Sequence, residues 1–137
     1  MLSRRGIVAA FVSAALLAAC QSLPTPRPTR DYRHGFSQIG LASWYGPHFH
    51  GKRTANGERF DMNGLTAAHR TLPLNSYVRV INLATSRSIV VRINDRGPYF
   101  ADRIIDLSAK AARELGIKED GVARVRIDLL SASEAKV

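Results

Sequence analysis

Glu58, Asp95 and Asp106 stand at turns or element ends, and His69 lies between the first two. Carboxyls and imidazoles pass protons near neutral pH, so these four are the candidates for acid–base work. Glu58 follows Gly57 in a loop between apolar segments. That setting suits an acid at the lip of a cleft or a glutamate on a solvent-facing turn. Asp95 continues the inward parity of Ile89, Val91 and Ile93, which aims its carboxyl into the mouth of a fold, and Arg96 beside it is expected to keep it ionised. With Gly97 and Pro98 it also reads as an ordinary turn. His69 either orients a carboxyl or is a buried histidine closing a strand. Asp106 is either a polar group in a cleft or a carboxylate at the start of the helix that follows. Trp44 and Tyr45 are successive strand residues facing opposite sides, so one packs in the core and the other offers a flat apolar surface. His48 and His50 with Glu58 match no strong ligand spacing, and neither a metal nor a cofactor is expected.

These side chains need a frame, and period-two alternation supplies most of it. Ala123, Val125, Ile127 and Leu129 alternate with Arg124, Arg126 and Asp128, and Ile89–Ile93 alternates less cleanly, so both read as half-buried strands. Leu41–Tyr45, Leu65–Ala68 and Tyr77–Asn82 are further strand candidates. One helix is indicated, with Ser108 as its cap, Ala109–Leu115 as its body and Gly116 as its left-handed stop. Five or six short strands with one late helix favour a small closed β-barrel, which leaves no open edge. The expected class is mainly β, a six-stranded barrel over residues 39–131 with an unstructured tail at 132–137.

The chain has 137 residues, enough for one modest domain, with 45% hydrophobic and 23% charged residues, which excludes a wholly disordered chain and a multi-pass membrane protein. Arg4 and Arg5 precede an uncharged run from Gly6 to Ala19. At roughly 21 Å of helix this run is too short to cross a ~30 Å hydrocarbon core, so residues 1–19 read as an export signal. Leu17, Ala18, Ala19 and Cys20 resemble the lipobox of bacterial lipoproteins, in which the cysteine becomes the acylated first residue. Cys20 is the sole cysteine and has no disulfide partner within the chain. Gln21 stands where an Asp would favour the inner membrane, so a periplasm-facing outer-membrane anchor is the expectation. Residues 20–38, with Pro24, Pro26, Pro28 and several arginines, form an extended tether. The formal charge of +9 would suggest nucleic acid in a cytoplasmic protein. Export makes an acidic wall polymer the better partner, and no nucleic acid is expected. A monomer is expected.

Five stretches carry a family resemblance: Ala42–Gly46, Phe49–Glu58, Leu65–Pro73, Ile93–Pro98 and Ile105–Ser108. In this order they resemble the rare lipoprotein A (RlpA-like) family over nearly all of residues 40–130. The resemblance implies a double-psi β-barrel acting as a lytic transglycosylase on peptidoglycan glycan strands. It places Glu58 as the catalytic glutamate and His69 as an active-site histidine, and Asp95, from its own position at the strand end, is the second candidate catalytic carboxyl. Trp44, Tyr45, Asn56, Asn94, Arg96 and Asp106 are then candidates for holding the sugar. Were such a carboxyl raised toward neutrality by about two units, its protonated form would be favoured by ~2.7 kcal/mol. Many family members carry a C-terminal SPOR domain, which is expected to be absent because the sequence ends at Val137. The alternative is a wall-binding lipoprotein that keeps the cleft without the chemistry.

Overall fold

Six strands close on one another in the computed structural model, which describes residues 35–136. Residues 1–19, expected to be an export signal, Cys20 and most of the expected tether lie outside those residues. The elements are β1 (Ser37–Trp44), β2 (Thr66–His69), β3 (Tyr77–Asn82), β4 (Ser88–Asp95), β5 (Arg103–Leu107), α1 (Ala109–Leu115) and β6 (Ala123–Leu129). Around the barrel the order is β1, β5, β2, β4, β3, β6. β1 runs parallel to β5 and β2 parallel to β4, while the other pairings are antiparallel. Strand β1 begins at Ser37, four residues ahead of the expected strand start at Leu41 and two ahead of the expected domain boundary at residue 39, because Ser37 and Gln38 already pair with Asp128 and Ile127 of β6.

β3 and β6 follow their periodicity: Val78, Val80, Val125 and Ile127 are buried, and Arg124 and Arg126 face out. β5 shows no such alternation. It is flanked by β1 and β2, and Ile104, Asp106 and their neighbours are buried on both faces. A helix-start reading of Asp106 fails for the same reason, since Asp106 belongs to β5 and the cap of α1 is Ser108. Ser108 Oγ accepts from the Ala111 N–H, and Gly116 ends the helix at φ 79°. Ala109, Ala111, Ala112 and Leu115 of α1 are buried. With Leu72, Ile93, Ile105, Leu107 and Ile127 they fill the interior, each large side chain contributing about 1.5–3 kcal/mol.

Two bulges shape the end of the barrel that carries the cleft. On β5 the extra residue is Ile104, whose side chain lies over Gly40; a Cβ there would meet it at 2.5 Å, so only glycine fits. On β4 the extra residue is Asn94, so Asn94 and Asp95 together oppose a single step of β2. The segment after β6 is not unstructured throughout: Ser131 O accepts from the Glu134 and Ala135 N–H groups in a turn.

Candidate active site

The loop from Thr54 to Glu58 is the part of the long β1–β2 connection that meets the end of β4. Thr54 N–H donates to Glu58 O at 2.8 Å and Gly57 N–H to Thr54 O at 3.0 Å. Gly57 has φ 91°, a conformation that side chains with a Cβ resist, so the turn needs this glycine. The loop is bolted to the end of β4 at two places. Asn56 N–H donates to Asn94 O at 3.1 Å, and Ala55 N–H donates to Asp95 Oδ1 at 3.0 Å. Glu58 and Asp95 are therefore placed by one short loop and two consecutive strand residues.

Glu58 Oε1 accepts from Asn94 Nδ2 at 2.8 Å and pairs with Arg92 Nη2 at 2.8 Å. Both of these contacts fall on Oε1. Asn75, in the left-handed conformation at φ 69°, uses Oδ1 to accept from both Asn56 Nδ2 and Arg92 Nη1, so it ties the loop to the arginine. The slight desolvation of Glu58, which raises its pKa, is outweighed by the bonds from Asn94, Arg92 and Asn56, which hold the carboxyl below its usual value. At rest the carboxyl is therefore held down and not raised toward neutrality, because a cation and two amides meet a side chain that is only partly exposed.

Asp95 sits differently. Its Oδ2 accepts from the Tyr45 hydroxyl at 3.2 Å, and Oδ1 accepts from the Ala55 and Arg96 backbone N–H groups. The Arg96 guanidinium does not meet it: Nη1 donates to His69 O and Leu72 O instead, so amides and a phenol, not the neighbouring cation, hold Asp95. Asp106 accepts from Arg103 Nη2 at 2.6 Å and from Ser43 Oγ, across the β1–β5 pair. Burial, then Asp95 and Asp106 nearby, push the Tyr45 hydroxyl far above its ordinary range, so it remains a donor.

Tyr45, Asp95, Arg96 and Asp106 line one cleft of about 430 Å³, together with Phe49, Tyr99 and Phe100. This is room for a sugar ring or two. Thr54 lines it as well, whereas Glu58, Asn56 and Asn94 adjoin it through the loop and are not part of its wall. Of the adjacent pair, Tyr45 faces the cleft and Trp44 packs against the core under Lys118. His69 is buried with both ring nitrogens engaged: Nε2 meets Gln38 Oε1 at 2.9 Å, and Nδ1 accepts from the Thr71 and Leu72 N–H groups. Burial, then Arg96 and Arg70, lower its pKa to about 4. Its ring closes the turn after β2 and does not join the carboxyls. His50 Nδ1 accepts from Met62 N–H and His48 stacks on Phe49, and among the described residues no three metal-ligating groups converge. Sequence reasoning did not find Ser43, Arg92, Arg103 or Asn75. Only Asn75 left a signal, as an asparagine in the Pro73–Ser76 turn able to adopt positive φ.

A closed, mixed six-stranded barrel with two parallel pairs and a carboxylate-lined cleft at one end defines a double-psi β-barrel domain. The family model described as lytic transglycolase matches residues 37–127, and the chain belongs to that RlpA-like family. It is 56% identical over 101 residues to the endolytic peptidoglycan transglycosylase RlpA of Pseudomonas aeruginosa (strain UCBPP-PA14), covering 74% of this chain and 29% of that protein. It is 63% identical over 91 residues to the probable endolytic peptidoglycan transglycosylase RlpA of Synechocystis, covering 66% and 28%. The chain thus spans less than a third of the length of these relatives. Among solved structures, the Streptomyces papain inhibitor superposes with a TM-score of 0.57 at 22% identity, covering 69% of this chain and 96% of that one. A Clavibacter michiganensis expansin superposes at 0.56 and 13% identity, covering 71% and 52%. These two likenesses concern the fold.

Proposed function

We propose that this chain is a lytic transglycosylase that cleaves the β-1,4 bond between N-acetylmuramic acid and N-acetylglucosamine in peptidoglycan. In this reading it is held by a lipid on Cys20 to the outer membrane and faces the periplasm. The observation that carries the activity is the loop Thr54–Glu58, clamped onto Asn94 and Asp95 beside a sugar-sized cleft. The family membership and the names of the relatives support the same reaction.

Glu58 protonates the glycosidic oxygen from Oε2, the oxygen not occupied by Asn94 and Arg92. The C1–O bond breaks with its electron pair leaving on O4 of the glucosamine, and the Asp95 carboxylate stabilises the positive charge developing at C1. The Glu58 carboxylate then takes the proton of the muramic C6 hydroxyl as O6 bonds to C1, which closes a 1,6-anhydro ring without water. For Glu58 to start protonated, Arg92 must leave it. The lactyl and peptide carboxylates of the substrate are the anions that draw the guanidinium away.

The test is mass spectrometry of sacculi incubated with purified protein. Anhydro-terminated fragments are expected from the wild type and none from folded Glu58→Gln. Undiminished anhydro ends from Glu58→Gln would remove Glu58 as the acid. A second reading, a wall-binding module without chemistry, is favoured by the resting Glu58–Arg92 ion pair. It predicts retention on sacculi with no new ends of either kind.

A further inference from the structure

Tyr99 and Phe100, 79% and 65% exposed, are the most exposed large apolar side chains among the described residues. Isolated exposed rings are ordinary on a protein surface, but these are adjacent, stand at the mouth of the cleft and sit on backbone that is fastened from below. Arg70 donates Nε to Pro98 O and Nη2 to the carbonyls of Phe100 and Arg103. Two of the three guanidinium nitrogens thus hold two carbonyls of the loop and the first carbonyl of β5, which fixes the path of the backbone that carries the two rings. The Arg103 guanidinium lies 4.7 Å from the Phe100 ring centre, covering one face, and the same arginine bridges to Asp106. Arg103 thus links the Phe100 ring to the Asp106 carboxylate of the cleft wall.

A pyranose ring presents axial C–H bonds on its faces and polar groups around its edge. A site for it pairs a flat apolar surface with hydrogen-bonding groups alongside, as Tyr99 and Phe100 do beside Asp95, Asp106 and Tyr45. We propose that Tyr99 and Phe100 form a sugar-stacking subsite that holds a β-1,4-linked N-acetylhexosamine ring of the glycan strand beyond the pair flanking the cleaved bond. This inference rests on the proposed glycan substrate. Arg70 is its positioning residue, setting the rings in place before the strand arrives. The subsite makes binding depend on strand length, since Tyr99 and Phe100 are the most exposed apolar part of the cleft lining and a disaccharide held against Asp95 and Tyr45 leaves them to the next ring.

The experiment is calorimetry of the protein against chitohexaose and chitobiose, in the Glu58→Gln background so that nothing is turned over. Tyr99→Ala and Phe100→Ala are each expected to weaken hexamer binding about tenfold and change dimer binding less than about twofold. Tyr99→Phe, which keeps the ring, is expected to retain hexamer affinity. In the otherwise wild-type protein the alanine variants should raise KM for sacculi with little change in kcat. Because both side chains project into water, melting temperatures should stay within a degree or so of wild type. Unchanged hexamer affinity in both alanine variants, or equal losses for dimer and hexamer, overturns the subsite while leaving the transglycosylase reading in place. Hexamer binding that depends on the rim, with no anhydro ends from wild type, keeps the subsite and removes the lytic reaction. Light scattering that shows wild-type self-association abolished by Phe100→Ala assigns the rings to a second copy and also overturns the proposal.

Discussion

Glu58 and Asp106 are each paired with an arginine at under 3 Å, yet the two ion pairs belong to different parts of the molecule. The Glu58 side chain is 38% exposed on a loop, and the Asp106 side chain is 12% exposed within a strand that has neighbours on both sides. An exposed pair in water is weak and exchangeable. A buried pair is costly to break, because each partner alone is left as an uncompensated charge. The contrast separates a carboxyl that can change partner and protonation state from one that holds the cleft in shape.

Four measurements break or sharpen that division. The largest effect is expected from Glu58→Gln, which should lower anhydro-product formation by about 10³-fold with an unchanged denaturation midpoint. A fall in stability alongside it would place Glu58 among the structural carboxyls. Asp106→Ala should do the reverse first, costing about 3–4 kcal/mol in urea denaturation by stranding Arg103 and Ser43, while Asp106→Asn costs less. A stable Asp106→Ala protein would erase the difference between the two nests.

His69 tests the buried class through pH. Its folded pKa of about 4 lies below the ordinary value of 6.5, so the unfolded chain takes up a proton that the folded ring refuses. The stability from this group is present above 6.5 and lost as pH falls toward 4, by about 2 kcal/mol between pH 7 and pH 5. His69→Asn should flatten that part of a plot of melting temperature against pH. The smallest and most specific effect belongs to Arg92→Met. Removing the cation raises the Glu58 pKa, so the alkaline limb of kcat/KM should move to higher pH. A uniform loss of rate with the limb in place would make Arg92 merely structural.

Much of the frame was legible in the chain. Tyr77–Asn82 and Ala123–Leu129 alternate because each strand has one face inward and one in water. Ser108 and Gly116 bracket α1 because capping chemistry is local. Glu58 is distinguished by its motif, and its loop by Gly57. The pairing of Asp95 with a cation was misjudged, since adjacency in sequence says nothing of where a long arginine side chain reaches, and Arg96 reaches the carbonyls of residues 69 and 72. β5 was missed because a strand buried on both faces has no alternation to read.

By itself, then, the sequence determined the half-buried strands, the helix and the loop that bears Glu58, all of which depend on contacts within a few residues. Tertiary structure alone decided that Ser43 meets Asp106 across 63 positions and that Tyr45 meets Asp95 across 50. It also turned His69 away from the carboxyls and raised Tyr99 and Phe100 onto the rim. Parallel pairing of β1 with β5 and closure of the barrel create those neighbourhoods, and no periodicity along the chain records which distant strand will lie alongside.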